Sequence, residues 1–202
     1  AQSDKPNIIY IMADDLGYGD LSCYGQQHFS TPNIDRLASE GMKFTQFYSG
    51  STVCAPARCS LMTGLHTGHA TVRGNSSNVF ENRQRVGLSV DDVTIAEVLK
   101  QQGYRTGLVG KWGIGEADTQ VTPTQKGFDF FYGFLNQRNA HNYYPPFLWK
   151  NKTKVMLKDN DVKAMTGQYA HDLMTNEALD FIDRNADGPF FLYLAYTIPH
   201  AE

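Results

Sequence analysis

The sequence predicts an α/β fold, a mostly parallel sheet flanked by helices on both faces. Apolar runs without polar alternation, Ile8-Ile9-Tyr10-Ile11-Met12 near the start and Phe190 to Tyr196 near the end, read as strands buried on both faces. Between them, strand and helix signals alternate in the βαβ manner that places helices over a parallel sheet. No internal repeat competes with this reading.

The elements follow in order. After the strand at 8–12, Thr31-Pro32-Asn33 offers a cap and a first-turn proline for a short helix through Ala38, which Gly41 ends. Phe44 to Tyr48 reads as a strand. Pro56 fits the first turn of a helix that begins near Cys54. Thr94 and Glu97 match a capping box, with Ile95, Val98 and Leu99 facing inward and Gly103 as the stop. Tyr104 to Val109 is the next strand. Residues 112 to 165, rich in Gly, Asn, Pro and Tyr, read as irregular. Leu173, Met174, Ala178, Phe181 and Ile182 then form one stripe of a helix. Pro189 introduces the closing strand.

Composition narrows the function classes. The 202 residues are enough for one core, and 41% apolar with 19% charged residues is ordinary for a globular domain. A net charge of −3 gives no basic footprint for nucleic acid. The longest apolar run is far too short to span a membrane. Three cysteines, at 23, 54 and 59, exclude a disulfide scaffold and leave at least one thiol buried, reactive or chemically altered.

Ligands of open α/β sheets gather at strand ends. There the first strand meets Asp14-Asp15, which is either an acidic turn or part of a hard-oxygen site for Ca²⁺ or Mg²⁺. Cys54 is either a buried structural thiol or a reactive group at a helix N-terminus, where backbone amides favour anions. Arg58, about one helical turn further on, can return toward residue 54.

These residues carry a resemblance. Cys54-Ala55-Pro56-Ala57-Arg58, followed by Leu61, Thr63 and Gly64, is similar to the C-x-P-x-R…L-x-T-G signature of the sulfatases. Further matches run in order through Pro6-Asn7-Ile8, Asp14-Asp15-Leu16-Gly17, Thr31 to Asp35, Gly110-Lys111-Trp112 and Pro199-His200. The resemblance implies an alkaline-phosphatase-like fold and a sulfuric ester hydrolase in which Cys54 is oxidised to Cα-formylglycine by a maturation enzyme. It implies that Asp14, Asp15 and residue 54 ligate a divalent cation, usually Ca²⁺, with Mg²⁺ as the alternative. Arg58 would hold residue 54, Lys111 would bind a sulfate oxygen, and His200 would contact the sulfate and protonate the leaving oxygen. The substrate would be a sulfated saccharide or an aryl sulfate, the compartment periplasmic or extracellular, or lysosomal in a eukaryote. The Ala1-Gln2 opening fits a processed exported chain.

Two departures stand out. Where the family reads G-K-W-H-x-G, this chain reads Gly110-Lys111-Trp112-Gly113-Ile114-Gly115, so a histidine that contacts the nucleophile is missing. His141, on the irregular stretch, is the candidate to replace it. The family also takes an Asp-Asn metal pair and another lysine from a later segment. Residues 1–202 therefore read as the N-terminal portion of the catalytic domain, expected to be inactive alone and to leave a sheet edge uncovered.

The stretch from Gln137 to Lys152 mixes aromatics with Arg138, His141 and Tyr144, which suits recognition of a sulfated sugar. His66 and His69 lie near the signature helix without an assigned role, His171 reads as structural or exposed, and His28 sits in a polar loop. Two alternatives remain open: a phosphonate or phosphate ester hydrolase of the same plan, and a non-catalytic carbohydrate-binding relative.

Overall fold

The computed structural model describes residues 5–75 and 87–201. The opening residues on which the export expectation rests lie outside them. Ten main elements run in the order β1 (Ile8–Asp14), α1 (Pro32–Glu40), α2 (Cys54–Thr63), α3 (Ile95–Gln101), β2 (Arg105–Lys111), β3 (Phe130–Phe134), β4 (Phe147–Lys150), β5 (Thr153–Met156), α4 (Ala170–Arg184) and β6 (Phe190–Pro199). The strands form one six-stranded sheet in the order β1-β6-β2-β3-β4-β5. The first three pairings are parallel and the last two antiparallel.

Period-two alternation splits the core into two layers. Phe191, Tyr193 and Ala195 of β6 and Leu108 of β2 face α2 and α3, packing with Ala55, Cys59, Met62 and Ala96. Phe190, Leu192 and Leu194, with Val109, face α4 through Met174, Ala178 and Phe181. The uninterrupted apolar composition of these strands follows from burial on both sides. β1 is the exception: it pairs on one side with β6, and Ile9 and Ile11, 46% and 57% exposed, stand on a face that no described helix covers.

Local signals translate directly in several places. Glu97 N–H donates to Thr94 Oγ1 at 3.3 Å while Thr94 N–H donates to Glu97 Oε2 at 2.8 Å, the reciprocal capping box of α3. Pro32 opens α1 and Gly41 caps its end. Thr31, however, makes no side-chain cap bond, because its hydroxyl donates to Asp35 at 3.0 Å and joins a network with Ser22.

Two expectations are corrected. Residues 44–48 are not a strand: no described strand lies alongside to accept their ladder bonds, and Phe44, Phe47 and Tyr48 are exposed. Residues 112–165 are not irregular throughout. They contain β3, β4 and β5, whose short segments pair only with one another and with β2, so tertiary pairing decides them where local pattern does not.

Helix α4 lies close to β2 at Gly107, where an added β-carbon would sit 2.7 Å from the Phe181 ring. Gly107→Ala in the intact protein should therefore destabilise it by about 1–3 kcal/mol through overpacking, read by urea denaturation; an unchanged midpoint would show that Phe181 yields freely.

His171 on α4 is half-buried against Tyr196, ring centroids 4.4 Å apart, and its Nδ1 has no partner. Burial pushes its pKa below the ordinary histidine value, only partly offset by Asp172. The folded pKa is thus lower than the unfolded one, so stability is complete above roughly pH 6.5 and falls as the unfolded chain takes up the proton first. Melting temperature should drop between pH 6.5 and 5, and His171→Phe should shallow that slope without abolishing it, since His141 is shifted the same way.

Candidate active site

Parallel strands deliver their C-terminal ends to one side of the sheet, and the chemistry gathers there. In β1 the pairing with β6 shifts register between Met12 and Asp14, and Asp14 aligns with Pro199. This irregularity re-aims the side chains at the strand end. Asp14 turns inward and is 6% exposed, whereas Asp15, at φ 62°, carries its carboxylate outward.

Helix α2 starts at Cys54, with Pro56 in its first turn as the sequence predicts. The thiol of Cys54 approaches Asp14 Oδ1 at 3.6 Å. Ala55 N–H, one of the free amides of the first turn, donates to Asn75 Oδ1 at 2.9 Å. One turn along, Arg58 is 1% exposed, and its guanidinium lies 3.4 Å from Asp14 Oδ2. It also donates to the Lys111 carbonyl. These contacts tie Arg58 to Asp14 and the end of β2. Lys111 is wholly buried and donates from Nζ to Asp14 Oδ2 at 2.8 Å.

Two cations therefore bracket one buried carboxylate. Burial alone would raise the Asp14 pKa, but Arg58 and Lys111 outweigh it and hold the carboxyl below its usual range. Beside this group, His200 Nε2 lies 3.4 Å from Asp15 Oδ2. The His200 ring stacks on His141 with centroids 4.2 Å apart and planes 18° from parallel. His141 belongs to a short 3₁₀ turn, Asn139–His141. Its Nε2 is buried without a partner, and burial, then the positive charges of Lys111 and His200, lower its pKa.

Asp14, Asp15, Cys54, Arg58, Lys111, His141 and His200 thus lie together at this end of the sheet. Arg138 is exposed at the N-terminal end of the 3₁₀ turn, and Tyr144 packs on Tyr169 with centroids 5.7 Å apart. Phe147 and Trp149 are on β4, where Lys154 lies over their rings at 4.7 and 5.4 Å. A cavity of about 750 Å³ opens beside Cys54, bounded by the end of β1, residues 47–53 and the start of α2. Sequence reasoning missed two contributors. Tyr193 lies under the site, its hydroxyl donating to Met12 Sδ at 3.2 Å and its pKa pushed up to about 12 by burial. Gln137 contacts Gly113, and only the absence of a side chain at 113 hinted at a compensating neighbour.

As a cation site, Asp14 and Asp15 have the right hard-oxygen chemistry. Among the described residues, however, no group of three His, Cys, Asp or Glu side chains converges to hold an ion. Asp14 Oδ2 is engaged by Lys111 and Arg58, and Asp15 faces His200. The pair fits part of a coordination shell.

Residues 6–202 match the family model described as Sulfatase. The chain belongs to the sulfatase family. It is 35% identical over 215 residues to N-acetylgalactosamine-6-sulfatase of Homo sapiens, covering 97% of this chain and 40% of that protein. The solved structure of Ps i-CgsB superposes with a TM-score of 0.82 at 34% identity, over 98% of this chain and 46% of that one. That of BT4656 in complex with its substrate D-glucosamine-2-N,6-O-disulfate gives 0.76 at 28% identity, over 98% and 35%. The sheet is the alkaline-phosphatase-like sheet of these sulfatases, and the chain spans about 40% of the length of the N-acetylgalactosamine-6-sulfatases it matches. No helix among the described residues is long and apolar enough to cross a membrane.

Lys111→Met should destabilise the intact protein by about 2 kcal/mol or more, because it strips a hydrogen-bonded cation from buried Asp14. Adding Asp14→Asn should recover part of the loss, and strict additivity in urea denaturation would refute the coupling.

Proposed function

We propose that this chain is the N-terminal portion of a sulfatase that removes sulfate from a sulfated carbohydrate, with aryl sulfates as simpler surrogates. The observation that carries the reading is the position of Cys54. It opens a helix inside the C-x-P-x-R signature, with its sulfur 3.6 Å from a carboxylate held by Arg58 and Lys111.

Conversion of Cys54 to Cα-formylglycine would supply a hydrated aldehyde, an oxygen nucleophile able to release sulfate again after attack. A divalent cation, Ca²⁺ or Mg²⁺, would be held by Asp14, Asp15 and the oxygen of residue 54, with further ligands from outside the described residues, and would polarise sulfate oxygens. The chain's own residues supply charge and protons. With two cations against one carboxylate, Asp14, Arg58 and Lys111 leave an excess positive charge at the site floor, which suits an anionic ester. Lys111 uses one of its three donors on Asp14, leaving others for sulfate oxygens. His200, beside Asp15, would protonate a departing alcohol.

His141 fills the role left open by Gly113. Its depressed pKa keeps the imidazole neutral near pH 7, so its unpartnered Nε2 can accept a proton. Arg138 and Tyr144 would read hydroxyls and further sulfates of a saccharide, and the D-glucosamine-2-N,6-O-disulfate bound by BT4656 supports that substrate class. A maturation enzyme that oxidises Cys54 and an exported or lysosomal compartment come with this reading.

Intact mass of the protein from its native source should show Cys54 converted from thiol to aldehyde, and sulfate should be released from a sulfated saccharide faster than phosphonate from a phosphonate ester. An unmodified thiol with no turnover would favour the carbohydrate-binding alternative. His141→Ala should lower kcat by about 10²-fold or more, the scale of general base catalysis; an unchanged kcat would remove His141 from the mechanism. Arg138→Ala with Tyr144→Ala should reduce turnover of the saccharide far more than that of an aryl sulfate, and equal losses would make the segment a structural support.

A further inference from the structure

Gly113 continues the β2–β3 pairing, its amide donating to Leu135 O at 2.9 Å, but in the left-handed region at φ 74°. A β-carbon added there would lie 2.4 Å from Gln137 Nε2 and 3.3 Å from Arg58 Cδ. The room beside Arg58 that a side chain at 113 would enter is therefore filled by the Gln137 amide, reaching back from beyond the end of β3.

The amide orientation is set by its neighbour. Gln137 Nε2 donates to Gly113 O at 3.0 Å, and the opposite assignment would place two oxygens face to face. That leaves Gln137 Oε1 buried with no hydrogen-bond donor, in a wall where Arg58 Nε and Nη2 also lack hydrogen-bond partners. A buried acceptor without a donor is destabilising and calls for an explanation. Arg58 lies one turn from residue 54 on α2, so this wall belongs to the site and not to the distant core.

We infer that Gln137 is a functional substitute for a side chain at position 113: its Oε1 accepts a hydrogen bond from a hydroxyl that enters the site during the reaction. This rests on the sulfatase reading. Two sources offer the same O–H chemistry, the hydrated form of residue 54 and a sugar hydroxyl of the substrate. Gln137 and His141 then divide the work, with Gln137 as the neutral acceptor and His141 as the group that takes the proton. The two positions are also sterically coupled: besides its left-handed φ, Gly113 has Gln137 in the space a β-carbon would take.

The experiment uses the full-length, Cys54-converted protein and the variants Gln137→Met, Gly113→Ala and Gly113→Ala/Gln137→Ala. Gln137→Met keeps the shape and removes the orphaned oxygen together with the Nε2 bond to Gly113 O, two effects of opposite sign on stability, so the melting temperature should change little while activity falls about tenfold, the scale of one lost hydrogen bond. A fall in kcat on both a sulfated saccharide and an aryl sulfate assigns the hydroxyl to residue 54. A rise in KM confined to the saccharide assigns it to the sugar. Activity within twofold of wild type on both substrates overturns the inference, as does a loss that merely follows a lowered melting temperature. Gly113→Ala should lower the melting temperature, and Gln137→Ala added to it should recover part of that loss; additive effects would refute the steric coupling. This cycle needs no turnover, so it still judges the pair if the wild type releases no sulfate, a result that would instead defeat the sulfatase reading.

Discussion

Asp14 is the group on which the rest of the site depends. A carboxylate that buried can stay ionised only with compensating charge, and here Arg58 and Lys111 supply it from α2 and β2. The three-way contact ties the ends of two strands to the first turns of the helix that presents Cys54. Within that contact two cations face one carboxylate.

Topology explains why these groups can meet. With β6 inserted between β1 and β2, and all three parallel, Asp14, Lys111 and His200 arrive from three adjacent strand ends. The β1 register shift aligns Asp14 with Pro199, immediately before His200. The antiparallel strands β4 and β5 extend the sheet away from this mouth and hold Phe147 and Trp149, whose rings pack under Lys154.

The space beside Gly113 is occupied from the segment after β3. Gln137 takes the space, and His141 stacks on His200. Both come from one stretch of chain, whose spacing from Gly113 carries no local signal.

By itself the sequence determined the α/β class, the strands at both ends of the chain, the capping box at Thr94, and a helix placing Cys54 at its N-terminus. Each depends on neighbours within a turn or on period-two burial, which are local physics. It also exposed the family signature and the acidic pair at the end of β1. Only the tertiary structure decided that Arg58 pairs with Asp14, that residues 44–48 lack a partner strand among the described residues, and that 112–165 contains three strands. The stacking of His141 on His200 and the fit of Gln137 over Gly113 belong to the same class. Side chains such as Arg58 have several reachable partners, and short strands exist only through what they pair with. Those choices are made by long-range contacts in the folded chain, where burial of a charge leaves only the partner that compensates it.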